Sequence, residues 1–385
     1  MLEAALAAGV AAAGGHALLG GVLPTPGAAL LTRRFGFDLA AVVSASHNPY
    51  KDNGIKFFGP EGTKLDDGRE AEIEQVIETP SDRAPAPGRV KELHGTAGDY
   101  LRELESRFQT LSLDGIKVLL DCANGATYRV APEIFRRLGA TVEAIATQPD
   151  GRNINDGVGS THVEALAKQV TEGGHDVGFA FDGDGDRVLA VDRDGVIVDG
   201  DELIALAALH LRNHDRLHGG GVAVTVMTNY GFHKAMEQAG IEVATTNVGD
   251  RYVLAELLKR GWALGGEQSG HIIDTGFVPS GDGVAAALLT LEALNGEDLA
   301  QRHAMRKLPQ KLVNVKIADR GALDAAKPVW DAVEQESAGL EGRGRVLVRP
   351  SGTEPLVRVM VEAPDADECE QVVGRLVATV ERELA

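Results

Sequence analysis

Cysteine, aromatic residues and positive charge are all scarce in this chain, and each shortage excludes something. The two cysteines, Cys122 and Cys369, stand far apart and neither belongs to a CxxC pair. A disulfide framework or thiolate zinc site is therefore not indicated, and a reducing cytoplasm suits the chain. Aromatics make up 4% of the residues, which leaves the packing to Ala, Leu and Val. Positive charge is outnumbered, with a formal net charge of -19 over 385 residues. Nucleic acid and anionic membranes attract cationic surfaces, so neither is expected as a partner. Nucleotide signatures are missing too. No GxxxxGKS/T loop and no GxGxxG after a strand occurs, so ATP- and NAD-dependent chemistries have no anchor.

A further absence is local. From Ala4 to Thr32 there is no Asp, Glu, Lys or Arg. A secretory leader wants a basic start, and the early charge here is Glu3. A membrane span wants about 20 strongly apolar residues, and this stretch is broken by Gly14, Gly15, Gly20, Gly21, Pro24 and Pro26. It reads as helix, buried strand, turn, helix. The opening MLEAALAAGVAAAG starts inside a helical pattern with no capping residue ahead of it, which leads to the expectation that an upstream segment is missing.

What is present is a repeated alternation of short apolar strands with helices, long enough for two to four domains. Strands are expected at 40–44, 116–121, 141–145, 177–181, 188–191 and 222–226, in mainly parallel sheets with helices on both faces. Asp192-Arg193-Asp194-Gly195 makes a hairpin turn. A Pro-rich loop is expected over 80–88 and a linking helix over 98–108. From about residue 313 the pattern changes, with strands near 312–317, 345–348 and 357–361 and a final helix over 366–384.

Two loops directly follow strands. Asp182-Gly183-Asp184-Gly185-Asp186-Arg187 sets carboxylates at alternate positions, and its glycines permit tight curvature. Oxygen ligands of this kind favour Mg²⁺ or Ca²⁺. An EF-hand fails, because Arg187 and Arg193 stand where it needs Gly and Glu. A solvated acidic turn is the bland alternative, although clustered anions repel and a strand-end loop is where α/β proteins place ligands. Ser44-Ala45-Ser46-His47-Asn48-Pro49 follows strand 40–44 and presents a serine, with His47 and Asn48 able to position oxyanions. No GxSxG elbow surrounds Ser46, so a phosphoryl-carrying serine beside a cation fits better than a hydrolase nucleophile. That reading requires the two loops to meet.

Gly265-Gly266-Glu267-Gln268-Ser269-Gly270-His271, if extended, puts Glu267, Ser269 and His271 on one face, suited to sugar hydroxyl or amino groups; a plain polar loop is the alternative. Arg349-Pro350-Ser351-Gly352-Thr353-Glu354-Pro355, with Arg358, can form an anion cradle of backbone N–H groups, hydroxyls and guanidiniums. Arg187, Arg251, Lys56 and Lys64 add local positive charge against the overall balance of -19.

In this order the motifs resemble the α-D-phosphohexomutase family. SASHNPYKDNGIKFF (44–58) is similar to its phosphoserine loop, FDGDGDR (181–187) to its metal loop, GGEQSGH (265–271) to its sugar-binding loop and RPSGTEPLVRVMVE (349–362) to its phosphate-binding loop. DCANGATY, VGDRYV and GEQSGH are most similar to the branch acting on glucosamine phosphate. The resemblance implies an α/β fold of three related mixed α/β domains, the first incomplete, plus a small C-terminal α+β domain. Their expected limits are 1–110, 111–215, 216–311 and 312–385. It implies interconversion of glucosamine 6-phosphate and 1-phosphate, with mannose or glucose phosphates, or an inactive remnant, as alternatives. Ser46 would carry the phosphoryl group and, with Asp182, Asp184 and Asp186, bind one Mg²⁺. Ser46, His47, Lys56, Arg187 and His271 would be catalytic. Lys64, Arg251, Glu267, Ser269, Arg349, Ser351, Gly352, Thr353 and Arg358 would hold substrate. A hexose 1,6-bisphosphate would activate, and a homodimer is allowed. Family members open with a Gly-Thr-Asp-Gly-Ile-Arg-Gly-like loop that this chain lacks, so its first sheet should be short of strands, with a raw edge and exposed apolar surface.

Overall fold

The computed structural model describes residues 1–78, 86–319, 321–351 and 355–384. Most of the Pro-rich loop expected over 80–88, and Gly352 and Thr353, lie outside the described residues. The chain divides into two compact units, one of Met1–Met227 with Ile241–Arg302 and the other of Thr228–Gly240 with His303–Ala385. Strands of the larger unit are, in chain order, β1 (Ala17–Leu19), β2 (Ala40–Ser44), β3 (Gly54–Phe58), β4 (Val90–Glu92), β5 (Lys117–Asp121), β6 (Thr141–Ile145), β7 (Val177–Phe181), β8 (Val188–Asp192), β9 (Ile197–Val198), β10 (Gly221–Thr225), β11 (Glu242–Thr246), β12 (Leu264–Gly266) and β13 (Ile272–Asp274). The smaller unit holds β14 (Gln310–Lys316), β15 (Arg345–Pro350) and β16 (Leu356–Glu362).

The larger unit is organised by two mixed sheets. One has strand order β6-β5-β7-β8-β9, the other β11-β10-β12-β13. In each, the first three strands run parallel and the return strands antiparallel. Mixed sheets, rather than mainly parallel ones, result because β7 and β12 each turn straight back through a tight loop. Those turn loops carry the acidic and the GEQSGH motifs. β7 (VGFAF) is buried along its whole length, as expected of a central strand covered on both faces. Helix Val163–Gly173 lays Val163, Leu166 and Val170 against Leu119, Ala180 and Val191. Each buried Val or Leu of this set contributes roughly 1.5–3 kcal/mol of hydrophobic stabilisation. The expected hairpin at 192–195 forms, with Gly195 at φ +81 and its N–H donating to the Asp192 carbonyl.

Around the first motif the sheet is fragmentary. Among the described residues β1 pairs with β4 alone and β2 with β3 alone, giving two separate two-stranded sheets. Leu18, Val22 and Leu39 are exposed at their edges, and of helix Leu2–Ala12 only Ala7 is buried. The smaller unit packs β14-β16-β15, fully antiparallel, against helices Lys327–Gly339 and Ala366–Leu384. No helix among the described residues is long and apolar enough to cross a membrane.

Candidate active site

Ser46 and the acidic loop, 136 residues apart in sequence, meet in the larger unit. The Ser46 hydroxyl donates to Asp182 Oδ2 at 3.2 Å, and the Gly183 N–H donates to the Ser46 carbonyl at 3.1 Å. Ser46 itself stands at φ +53, a left-handed conformation costly for any residue with a Cβ. Its N–H is held by Ser44 Oγ at 2.9 Å, and His47 Nδ1 lies 3.4 Å from its hydroxyl. The strand-end turn therefore fixes the serine rather than merely displaying it.

The carboxylates of Asp182, Asp184 and Asp186 are buried, with one ligand atom from each lying within 4.8 Å of the others. Asp184 Oδ1 and Asp186 Oδ1 are buried without a hydrogen-bond partner among the described residues. Orphaned, converging carboxylate oxygens of this kind fit a hard divalent cation. Lys56 Nζ bridges Asp184 Oδ2 at 2.6 Å and Asp186 Oδ2 at 2.9 Å, countering part of the negative charge. Burial, with the charges of Asp186 and Asp184, pushes the Asp182 carboxyl well up. Burial acts the same way on Asp186, but His271, Lys56 and Lys64 outweigh it and hold that carboxyl well below its usual range. Burial opposes the Lys56 ammonium, yet Asp186 and Asp184 outweigh it and raise its pKa. Burial and the nearby Arg187 charge lower the His47 imidazole.

The GEQSGH motif turns rather than extends. Glu267 N–H donates to the His271 carbonyl and Gly270 N–H to the Glu267 carbonyl, closing the β12–β13 hairpin with Gly270 at φ +89. The expected single face of Glu267, Ser269 and His271 is thereby replaced: Glu267 and His271 are buried across the turn and Ser269 is exposed at its tip. The hairpin wins because Gly266 pairs with Ile272, completing a sheet edge that an extended segment would leave open. His271 sits with Nδ1 3.6 Å from Asp186 and Nε2 accepting from the Gly281 N–H at 3.1 Å. Arg187 pairs with His271 in an isolated backbone bridge, and its N–H donates to Asp182 Oδ1. Lys64 contacts Asp250, whose carboxylate also lies 3.8 Å from His271 Nε2. Against the cost of burial, His271 and Lys64 hold Asp250 below its usual pKa. Arg251 lies 3.8 Å from Glu70.

Three residues escaped the sequence reading. Asp250 was within sight, since it precedes Arg251 in the VGDRYV motif. Thr25 donates to Asp184 Oδ2 at 2.6 Å and its N–H to the Asp184 carbonyl. Asn155 donates to the Ser46 and Asn48 carbonyls. Neither carried a local signal.

In the smaller unit Arg349 and Arg358 are directly opposite on β15 and β16, and the Ser351 N–H donates to the Leu356 carbonyl. Like charges facing each other across a sheet are unfavourable without a counter-anion. Burial and the Arg358 charge lower the Arg349 pKa. Arg358 Nε is buried without a hydrogen-bond partner among the described residues. Two guanidiniums set this way could take an anion between them.

Sequence profiles of the phosphoglucomutase/phosphomannomutase family match along the chain: α/β/α domain I over residues 1–84, domain II over 98–195, domain III over 199–312 and the C-terminal domain over 312–379. A phosphoglucosamine mutase of Moorella thermoacetica is 50% identical over 384 residues, covering 98% of this chain and 86% of that protein. One of Pseudomonas putida is 48% identical over 393 residues, covering 99% and 87%. Among solved structures, an Aspergillus fumigatus N-acetylphosphoglucosamine mutase in complex with GlcNAc-6P and magnesium matches with TM-score 0.73 at 20% identity, over 94% of this chain and 93% of that one. A phosphoglucomutase/phosphomannomutase family protein of Burkholderia thailandensis matches with TM-score 0.80 at 22% identity, over 99% and 86%. At these identities the structural likeness speaks for the fold alone.

Proposed function

Because the chain belongs to the phosphoglucosamine mutase family, within the wider phosphohexomutases, we propose that it interconverts glucosamine 6-phosphate and glucosamine 1-phosphate by way of a phosphorylated Ser46. The observation that carries this reading is the Ser46 hydroxyl held 3.2 Å from a buried carboxylate triad with two orphaned oxygens. In the first transfer the phosphoryl group leaves Ser46 Oγ for the sugar's 1-hydroxyl. That hydroxyl gives up its proton and Ser46 Oγ regains one. The resulting 1,6-bisphosphate turns around, and its 6-phosphoryl group returns to Ser46, leaving the 1-phosphate. No phosphorus is gained or lost, and an external hexose 1,6-bisphosphate can prime an enzyme that has lost its own phosphoryl group.

Asp182, Asp184, Asp186 and Ser46 would hold one Mg²⁺, which supplies charge stabilisation to the transferring phosphoryl oxygens. The chain's own residues do the rest. Lys56, kept charged by two carboxylates, suits charge stabilisation of the transferring group. His271, positioned by the Gly281 N–H and Asp186, and His47, beside the serine hydroxyl, stand where protons must move. Arg187 adds positive charge next to the triad. We assign the sugar to Glu267 and Ser269, with Lys64 and Arg251 in support. The non-reacting phosphate goes to Arg349, Ser351 and Arg358, joined by Gly352 and Thr353. Domain limits of 1–110, 111–215, 216–311 and 312–385 follow from the same reading, as does a cytoplasmic setting for its free cysteines.

The test offers glucosamine 6-phosphate, mannose 1-phosphate and glucose 1-phosphate in parallel, with Mg²⁺ and a trace of hexose bisphosphate. Preferred turnover of the glucosamine phosphate is expected, and Ser46→Ala is expected to abolish it. Substantial activity in Ser46→Ala, or no turnover of any sugar from folded protein, sinks the assignment.

A further inference from the structure

We infer that Asn155 is a positioning residue for phosphoryl transfer, clamping the strained serine loop onto the acidic loop. The inference rests on Ser46 being the phosphoryl carrier.

Asn155 is buried, and its side-chain amide donates twice, to the Ser46 carbonyl at 2.7 Å and to the Asn48 carbonyl at 2.8 Å. A planar amide nitrogen carries two N–H groups, so one side chain can bridge carbonyls two residues apart in a turn. Turning the amide over would set its oxygen against both carbonyls, which fixes its orientation. The Ser46 carbonyl thus accepts from Asn155 on one side and from the Gly183 N–H, in the acidic loop, on the other.

The base of the clamp is itself braced. The Asn155 N–H donates to the Ala123 carbonyl at 3.0 Å, Asn124 Nδ2 donates to the Asn153 carbonyl, and the Gln148 N–H donates to Asn124 Oδ1. Ala123, Asn124 and Asn155 all have positive φ, as Ser46 does. A serine at φ +53 relaxes toward negative φ unless its surroundings hold it. Relaxation would rotate Cβ and carry Oγ away from Asp182. Asn155 therefore acts through Ser46.

Asn155→Gly is the discriminating variant. Asn155 stands at φ +56, which glycine adopts freely, so the backbone is kept while the amide is deleted. Dephosphorylated protein is mixed with Mg²⁺ and a radiolabelled hexose 1,6-bisphosphate, and labelling of Ser46 is followed by rapid quench. Labelling in Asn155→Gly is expected to slow about 100-fold, the scale of an ångström-size misplacement. KM for glucosamine 6-phosphate should stay within about threefold, because the sugar and phosphate contacts are untouched. Asn155→Asp, which keeps the shape but turns donors into acceptors, should be at least as slow. Labelling of Asn155→Gly at the wild-type rate, with Ser46→Ala unlabelled, overturns this inference and leaves the phosphoserine reading intact. Label taken up equally by Ser46→Ala removes both. Amide hydrogen exchange gives a second readout independent of turnover. The variant should speed exchange within residues 44–49, and unchanged exchange there counts against the clamp.

Discussion

A Cβ added at Gly183 would sit 2.4 Å from the Ser46 carbonyl oxygen and 2.5 Å from Ile154 Cδ1, closer than real Cβ contacts come. The same residue closes on Gly125, where an added Cβ would meet the Gly183 carbonyl oxygen at 2.2 Å. Gly183→Ala should therefore pry the serine and acidic loops apart. We expect kcat to fall about 100-fold, with a cooperative thermal unfolding transition retained; steady-state kinetics and a melting curve check both. At this scale the acidic triad and Ser46 were legible, because alternate carboxylates and a strand-end serine turn are patterns within a few residues. Thr25 and Asn155 were not, and of Asp250 only the VGDRYV motif around it was. Their partners lie 159, 109 and 186 positions away, and an isolated Thr or Asn in a turn looks the same whether or not it holds anything.

Elements of the larger unit are tied by a half-buried ion cluster. Glu292, on helix Gly283–Leu294, accepts from Arg216 at 2.9 Å and lies within 3.6 Å of Arg107 and His210, which come from two other helices. Burial disfavours its charge, but His210, Arg216 and Arg107 prevail and depress its pKa to about 2. A carboxyl whose folded pKa is depressed contributes stability above its unfolded pKa and loses it as pH falls toward the folded value. Glu292→Gln should thus cost about 1–2 kcal/mol at pH 7, after discounting for solvent screening of a half-buried cluster. The gap to wild type should close as pH drops from about 4.5 toward about 2, as urea unfolding at several pH values would show. The facing Arg349 and Arg358 make a second element-scale case. Arg358→Ala should raise KM for glucosamine 6-phosphate at least about tenfold, while β15–β16 pairing is preserved or improved by loss of the like-charge pair. The GEQSGH segment shows where local reading stops. Extended and hairpin forms place Gly270 equally well, and the choice fell to pairing with Ile272.

For the molecule as a whole, a net charge of -19 and a buried acidic triad are what the proposed Mg²⁺ would act against. Chelation should abolish turnover, and Mg²⁺ should restore it. Mg²⁺ at 100 times its Kd should stabilise the protein by about 2.7 kcal/mol, read as a rise in unfolding midpoint that Asp184→Asn removes. The strands β2, β6 and β7, the C-terminal helix and the order of four motifs were all determined by sequence alone, because short-range periodicity and turn chemistry dictate them. Which loops converge was decided only by tertiary structure. Ser46 reaches Asp182, Lys56 spans Asp184 and Asp186, and Asn155 grips the serine turn through contacts more than 100 residues apart in sequence. Such contacts arise from packing whole sheets and helices together, and no window of neighbouring residues records them.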